Sequence, residues 1–382
     1  MSTADMGRAA GPSPLGRRSS VVGSLRDKPF FPIWPATALL FGLSPLLAAG
    51  SLSSSAILGM LPFAAVLALA SVGQTLVVQQ RGLDLAVPGT MSLAAVIVTA
   101  HAAGHDSRLL PALCLVLLAC AATGLVSGVA VTYFGITPLV ATLGVNALLL
   151  GTIQQITGGL STKTAPANLS GFTLDKTAGI PNTVLLVGAV VLVVTFLIRK
   201  TTFGRRFVAV GASAQAARAA GIPVRSYQLG TYVVASICYG AAGVLLAGFL
   251  QNSSISAGGD YLLPTVAAVV LGGTSLLGGN GSVVATAVGA LFLTQLQQVV
   301  LGMGAASSVQ LIVQGAVIAL AVGLREVPSR WRNWFPGGGT TGDPAWAVAT
   351  AGHRNPFRGD QRPQDGAADL EQLHPKQKRR DQ

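Results

Sequence analysis

One carboxylate stands out by its position. Asp84 lies in the run Arg81-Gly82-Leu83-Asp84-Leu85-Ala86-Val87-Pro88-Gly89-Thr90, at the start of an apolar stretch. An ionised carboxylate in hydrocarbon costs at least about 2.5 kcal/mol on insertion scales. Such a residue either contacts a ligand or is satisfied locally, by capping the helix that begins there or by pairing with Arg81. The flanking glycine and proline predict an irregular start to that helix. Pro88 is expected to disrupt it and leave backbone groups for protein or water to satisfy. The other polar groups inside apolar runs are amides and hydroxyls: Gln74, Thr75, Thr142, Asn146, Gln154, Gln155, Gln295, Gln297, Gln298 and Gln314. In lipid these face the helix bundle, where they either bond across helices or line a wet path suited to an uncharged polyol. Gln74, Asp84, Asn146 and Gln154 are the candidates for such a path.

Catalytic chemistry has no visible seat. His101 and His105 are four residues apart and could share a helix face, but two histidines make an incomplete metal site, and His353 and His374 lie in a tail. A phosphate-binding loop needs a lysine directly after a glycine, and none of the six lysines is so placed. If ATP drives this protein, another chain hydrolyses it. Neither a Gly-x-Ser-x-Gly elbow nor a His-Glu-x-x-His helix occurs. The expectation is therefore no enzyme, no metal and no cofactor. Cys114, Cys120 and Cys238 have no paired spacing and read as small buried hydrophobes.

The elements that must carry these residues are set by composition. The 382 residues are 51% hydrophobic and only 10% charged, with a mean hydropathy of +0.61, whereas soluble domains carry roughly 25% charged residues. The 47 glycines fit close helix packing in lipid. Apolar runs long enough for a bilayer recur, and they predict an all-α polytopic bundle of about ten helices. The runs are Ile33 to Gly50, Ala56 to Val78, Leu83 to Ala103, Leu109 to Phe134, Thr137 to Thr157, Pro181 to Ile198, Tyr227 to Leu250, Leu262 to Leu277, Ser282 to Met303 and Ser307 to Leu324. The eighth is short and bounded by glycine, as a broken or tilted helix would be.

Lysine and arginine resist translocation and fix the orientation. With both termini cytoplasmic, only Arg108, Lys163 and Lys176 of the 25 basic residues face outward. Residues 1–32 then form a retained basic N-tail without a cleavage site. Residues 33–324 form the membrane domain, and residues 325–382 a cytoplasmic C-tail too poor in apolar residues to fold. That tail suits contact with anionic lipid rather than nucleic acid, since the positive-inside bias alone accounts for its charge.

Residues 199–226 form a long cytoplasmic loop. From Ser213 the loop is alanine-rich, with Gly221 as a stop and Pro223 beyond, so it predicts one short exposed helix. Ala216, Ala217 and Ala220 would give that helix a low profile able to enter a groove on a partner.

The loop carries Thr201-x-x-Gly204-Arg205, Ala209-x-Gly211 and Ala216-Ala217-x-x-x-Gly221-Ile222, and it resembles the coupling loop of ribose-type (monosaccharide) ABC importer permeases. Gly82-Leu83-Asp84-Leu85-Ala86-Val87 is similar to that family's Gly-Ile-Asp-Leu-Ser-Val element. Thr137 to Gly144, Thr157-Gly158-Gly159 and the glycine-rich Ala267 to Ser282 also resemble family elements, in the same order. Two departures stand out: Pro88 replaces a small residue, and Tyr261-Leu262-Leu263 lacks an acidic one. The resemblance implies two pseudo-related halves in a bacterial inner-membrane permease working by alternating access. It also implies three partners: a cytoplasmic ATP-binding-cassette subunit, a periplasmic or extracellular solute-binding protein, and a second permease copy or paralogue. Gly204, Arg205, Gly211, Ala216, Ala217, Ala220 and Gly221 are then the expected coupling residues. Related permeases carry autoinducer-2, nucleosides or amino acids. A stand-alone facilitator or ion-coupled carrier is the rival reading, disfavoured by the scarcity of carboxylates within the spans.

Overall fold

Each apolar run becomes a helix, because a chain surrounded by hydrocarbon must satisfy its backbone groups internally. The computed structural model describes residues 30–160, 164–252, 255–306, 308–317 and 319–320. Its helices are α1 (Ile33–Leu47), α2 (Ser54–Gln79), α3 (Val87–Ala102), α4 (Leu109–Thr132), α5 (Pro138–Thr157), α6 (Ala167–Leu174), α7 (Asn182–Lys200), α8 (Thr202–Ala212), α9 (Ala214–Ala219), α10 (Val224–Leu250), α11 (Leu262–Leu271) and α12 (Val283–Gly302), followed by α13 (Ser308–Val317). A two-residue hairpin, β1 (Lys176–Thr177) with β2 (Ile180–Pro181), leads into α7. Among the described residues six helices, α2, α4, α5, α7, α10 and α12, are long and apolar enough to cross a bilayer, while α1, α3, α11 and α13 are shorter apolar helices. The chain is thus a helical polytopic membrane protein. The described residues lie in one compact unit, and residues 329–382, the other unit, fall outside them. The N-tail through residue 29, the C-tail expected to be unfolded, Lys163, His353 and His374 also lie outside the described residues.

Helix starts follow the sequence. The hydroxyls of Ser53, Thr201, Ser213 and Ser282 each accept a first-turn backbone N–H, capping α2, α8, α9 and α12. Pro88 does not disrupt α3. It stands in the first turn, where the missing N–H costs nothing, and the chain before it is non-helical from Arg81 to Ala86. The eighth run is helical only to Leu271, because α11 gives way to a glycine-rich turn. Ten residues rise only about 15 Å, half of a hydrocarbon core of about 30 Å.

α10 is the axis of the bundle. It packs against α2, α3 and α4, while α12 packs on α2, α11 and α1. The close approach depends on missing side chains: a Cβ on Gly243 would stand 2.2 Å from Met91 O of α3, and one on Gly124 of α4 2.5 Å from Tyr232 O of α10. Small residues at such crossings replace the hydrophobic drive that lipid removes. Cys120 and Cys238 are buried as expected, but Cys114 is on the exposed side of α4. α5 sits at the rim, touching α3 and α4, with only Ala141, Thr142, Val145, Leu149 and Ile153 buried.

Candidate functional site

The polar interior is built by α2, α10 and the segment that joins α2 to α3. Gln74 has no exposed surface. Its Oε1 accepts a hydrogen bond from the Tyr239 hydroxyl at 2.9 Å, while its Nε2 finds no partner among the described residues. Gln74 therefore bonds across helices rather than lining an open path. Asp84, 2% exposed, accepts from Ala86 N at 2.9 Å in a local turn. The pairing with Arg81 does not form. Arg81 turns toward the loop instead, its Nε donating to Gly211 O at 2.9 Å and its Nη2 to Ala212 O.

The segment after Asp84 is stitched to α5 at two points. Leu85 N donates to Thr142 Oγ1 at 2.9 Å and Gly89 N to Asn146 Oδ1 at 2.9 Å. Residues 142 and 146 are one turn apart on a single face of α5. This pairing satisfies the backbone that the non-helical segment leaves open. Thr142 and Asn146 thus hold the backbone that follows Asp84, while Gln74 joins Tyr239 of α10.

Gln154 differs from the expectation that amides face the bundle. It and Gln155 are exposed on this chain, because the buried stripe of α5 runs along the other side. Gly144, Ala147, Leu148, Gly151, Thr152, Gln155 and Ile156 line a shallow open depression on the same helix. The Thr152 hydroxyl donates to Leu148 O at 2.8 Å, but two amides on an apolar helix would stay unsatisfied against lipid tails, so this face is suited to protein or water. A second depression, about 370 Å³ between α4, α6, α7 and α10, is walled almost wholly by residues such as Leu113, Val116, Leu117, Phe172 and Leu186. It offers little to orient a polar solute.

The loop between α7 and α10 holds two helices where one was expected. α9 begins with the Ser213 cap and ends at Gly221, whose φ of +75° is the left-handed turn anticipated from sequence. α8, missed by the sequence reading, is amphipathic: Gly204, Phe207, Val210 and Gly211 are buried, and Arg205 and Arg206 are exposed. Phe203, Phe207 and Val210, spaced at helical intervals, were the available signal. Phe203 stacks on Phe207 and on Tyr227 at the foot of α10. Gly211 is pressed against α2, where a Cβ would stand 2.1 Å from Gln79 O. Ala217 is not on the outer face. It is 4% exposed and packs with Val210 and Val224, because a helix this short is held to the loop by its one inward residue. Gln215, Ala216, Arg218, Ala219 and Ala220 remain exposed.

A family model described as "Branched-chain amino acid transport system / permease component" matches residues 56–322. The chain is similar to the ribose import permease protein RbsC of Escherichia coli (strain K12), 35% identical over 259 residues that make up 67% of this chain and 80% of that protein. It is also similar to the autoinducer 2 import system permease proteins LsrC and LsrD of Photorhabdus luminescens. LsrC is 34% identical over 266 residues, 68% of this chain and 78% of that protein; LsrD is 30% identical over 276 residues, 68% and 82%. No solved structure matches the chain.

Proposed function

The chain belongs to the family of branched-chain amino acid transport system permease components, and from that premise we propose that it imports a small neutral solute, a monosaccharide first, as the permease of an ABC importer. It is a transport subunit of the inner membrane rather than an enzyme. The single observation that carries the solute class is the chemistry of the polar groups on the open side of α5: Thr152, Gln154 and Gln155 are all neutral, with Asp84 satisfied within its own turn. Similarity to permeases for ribose and autoinducer 2 supports the same class.

Ten spans with both termini cytoplasmic is our reading of the topology. The coincidence of ten apolar runs with helices and the clustering of basic residues in alternate loops support it. Two pseudo-related halves belong to the same reading. The path runs along the open face of α5, where Thr152, Gln154 and Gln155 would lie toward the outer mouth, enclosed by a second permease copy. A solute-binding protein delivers to that mouth, and the ATPase docks on the exposed side of α9. Gly204 and Gly211 seat α8 against its neighbours, Gly221 turns the chain back toward α10, and Arg205 is available to the partner.

Reconstitution tests this. Proteoliposomes holding the permease with its ATPase and binding protein should take up labelled ribose only when ATP is enclosed on the ATPase side. Equal uptake by the permease alone would replace the proposal with a facilitator.

A further inference from the structure

α2 and α9 end in the same way. In each, two backbone N–H groups fold back on the last turn: Arg81 N to Val78 O and Gly82 N to Val77 O after α2, Gly221 N to Arg218 O and Ile222 N to Ala217 O after α9. This motif requires a left-handed residue at its turning point, a place for glycine. α9 has Gly221 at φ +75° there, whereas α2 has Arg81 at φ +64°. A side chain held in that strained region persists where its surroundings over-determine it. Here the guanidinium reaches the last carbonyls of α8, Gly211 O and Ala212 O, which no helical N–H can satisfy. Its positive charge also suits the negative end of the helix dipole. The neighbouring Gln80 Nε2 donates to Phe207 O at 2.9 Å, and Gly279 N of the glycine-rich turn donates to Gln79 O at 2.8 Å.

Arg81 therefore grips the joint between α8 and α9 and also opens the segment that ends on α5. From that joint, hydrogen bonds run through Arg81 along residues 82–89 to Thr142 and Asn146. We infer that Arg81 is a positioning residue that passes movement of the α8–α9 joint through residues 82–89 to α5. The inference rests on the reading that an ATPase docks on α9 and that α5 borders the path. It adds the residue that links the two.

Arg81→Gly separates side chain from backbone, since glycine accepts the left-handed turn without strain. Arg81→Lys keeps the charge but not the two-pronged donor. Two measurements decide. In the purified permease, Arg81→Gly should speed amide hydrogen exchange at Val210 to Ser213, with Arg81→Lys in between. In the reconstituted importer it should keep ATPase co-purification but lower solute imported per ATP hydrolysed by roughly 2- to 30-fold, the range of coupling mutations, with partial recovery in Arg81→Lys. Unchanged exchange overturns the grip. Faster exchange with a wild-type solute-to-ATP ratio overturns the transmission. A wild-type permease that neither binds the ATPase nor imports solute overturns the docking reading itself, and the inference falls with it.

Discussion

Gln74 and Gln154 are the same residue type in apolar helices, yet their surroundings give them different work. Gln74 is enclosed and holds the Tyr239 hydroxyl of α10. Gln74→Leu strands that hydroxyl in a dry interface, at about 1–3 kcal/mol. The apparent melting temperature of the purified permease should fall by several degrees, on a scale of roughly 2–4 °C per kcal/mol for chains of a few hundred residues. Gln154 and Gln155 are open on this chain. The double change Gln154→Leu, Gln155→Leu should leave the melting temperature in place and depress uptake. Normal uptake by that double mutant removes α5's outer half from the path. A melting temperature unmoved in Gln74→Leu would show that Tyr239 finds another partner.

At the scale of elements, α9 is a small knob held by one side chain. Trp at the exposed Ala216 should block a partner's groove without disturbing the loop. At Ala217 it must displace Val210 and Val224, and such overpacking costs typically about 1–3 kcal/mol. Both variants should lose ATPase co-purification. Only Ala217→Trp should also raise tryptic cleavage at the exposed Arg205 and Arg206, because it alone unseats the loop. Full ATPase binding by Ala216→Trp would place the docking face elsewhere. Gly221→Val strains the φ of +75° by about 1–3 kcal/mol, and it should resemble Ala217→Trp.

At the scale of the whole molecule, α5 is a rim helix whose open face mixes small and polar residues with Leu148 and Ile156. A second copy is the proposed cover. A single cysteine at Ala147, with Cys114, Cys120 and Cys238 replaced by alanine, should form a disulfide-linked dimer under mild oxidation in membranes. A cysteine at Leu192, on the 68% exposed outer side of α7, should not. Equal cross-linking at both positions, or none at Ala147, argues against pairing along α5. In the same background Arg205→Cys should resist an impermeant thiol reagent added outside intact cells, and labelling there would reverse the topology.

What the sequence determined is what depends on local composition. Apolar runs far too greasy for water located the helices, Ser213 marked the start of the alanine-rich α9, and Gly221 marked its end with the backbone angle it needs. The ordered motifs from Gly82 to Ser282 were enough to point to the permease family. Tertiary structure decided everything that depends on which side of a helix a neighbour covers. An amide in an apolar run carries no mark of its direction, so Gln74 as glue and Gln154 as an open group became distinct only when α10 covered one and nothing on this chain covered the other. Asp84 and Arg81 are three residues apart and of opposite charge, which made a pair one expected outcome beside capping. The left-handed turn at Arg81 carries its side chain away to the carbonyls of α8, 130 residues on, and a contact that distant in sequence exists only once the bundle has closed.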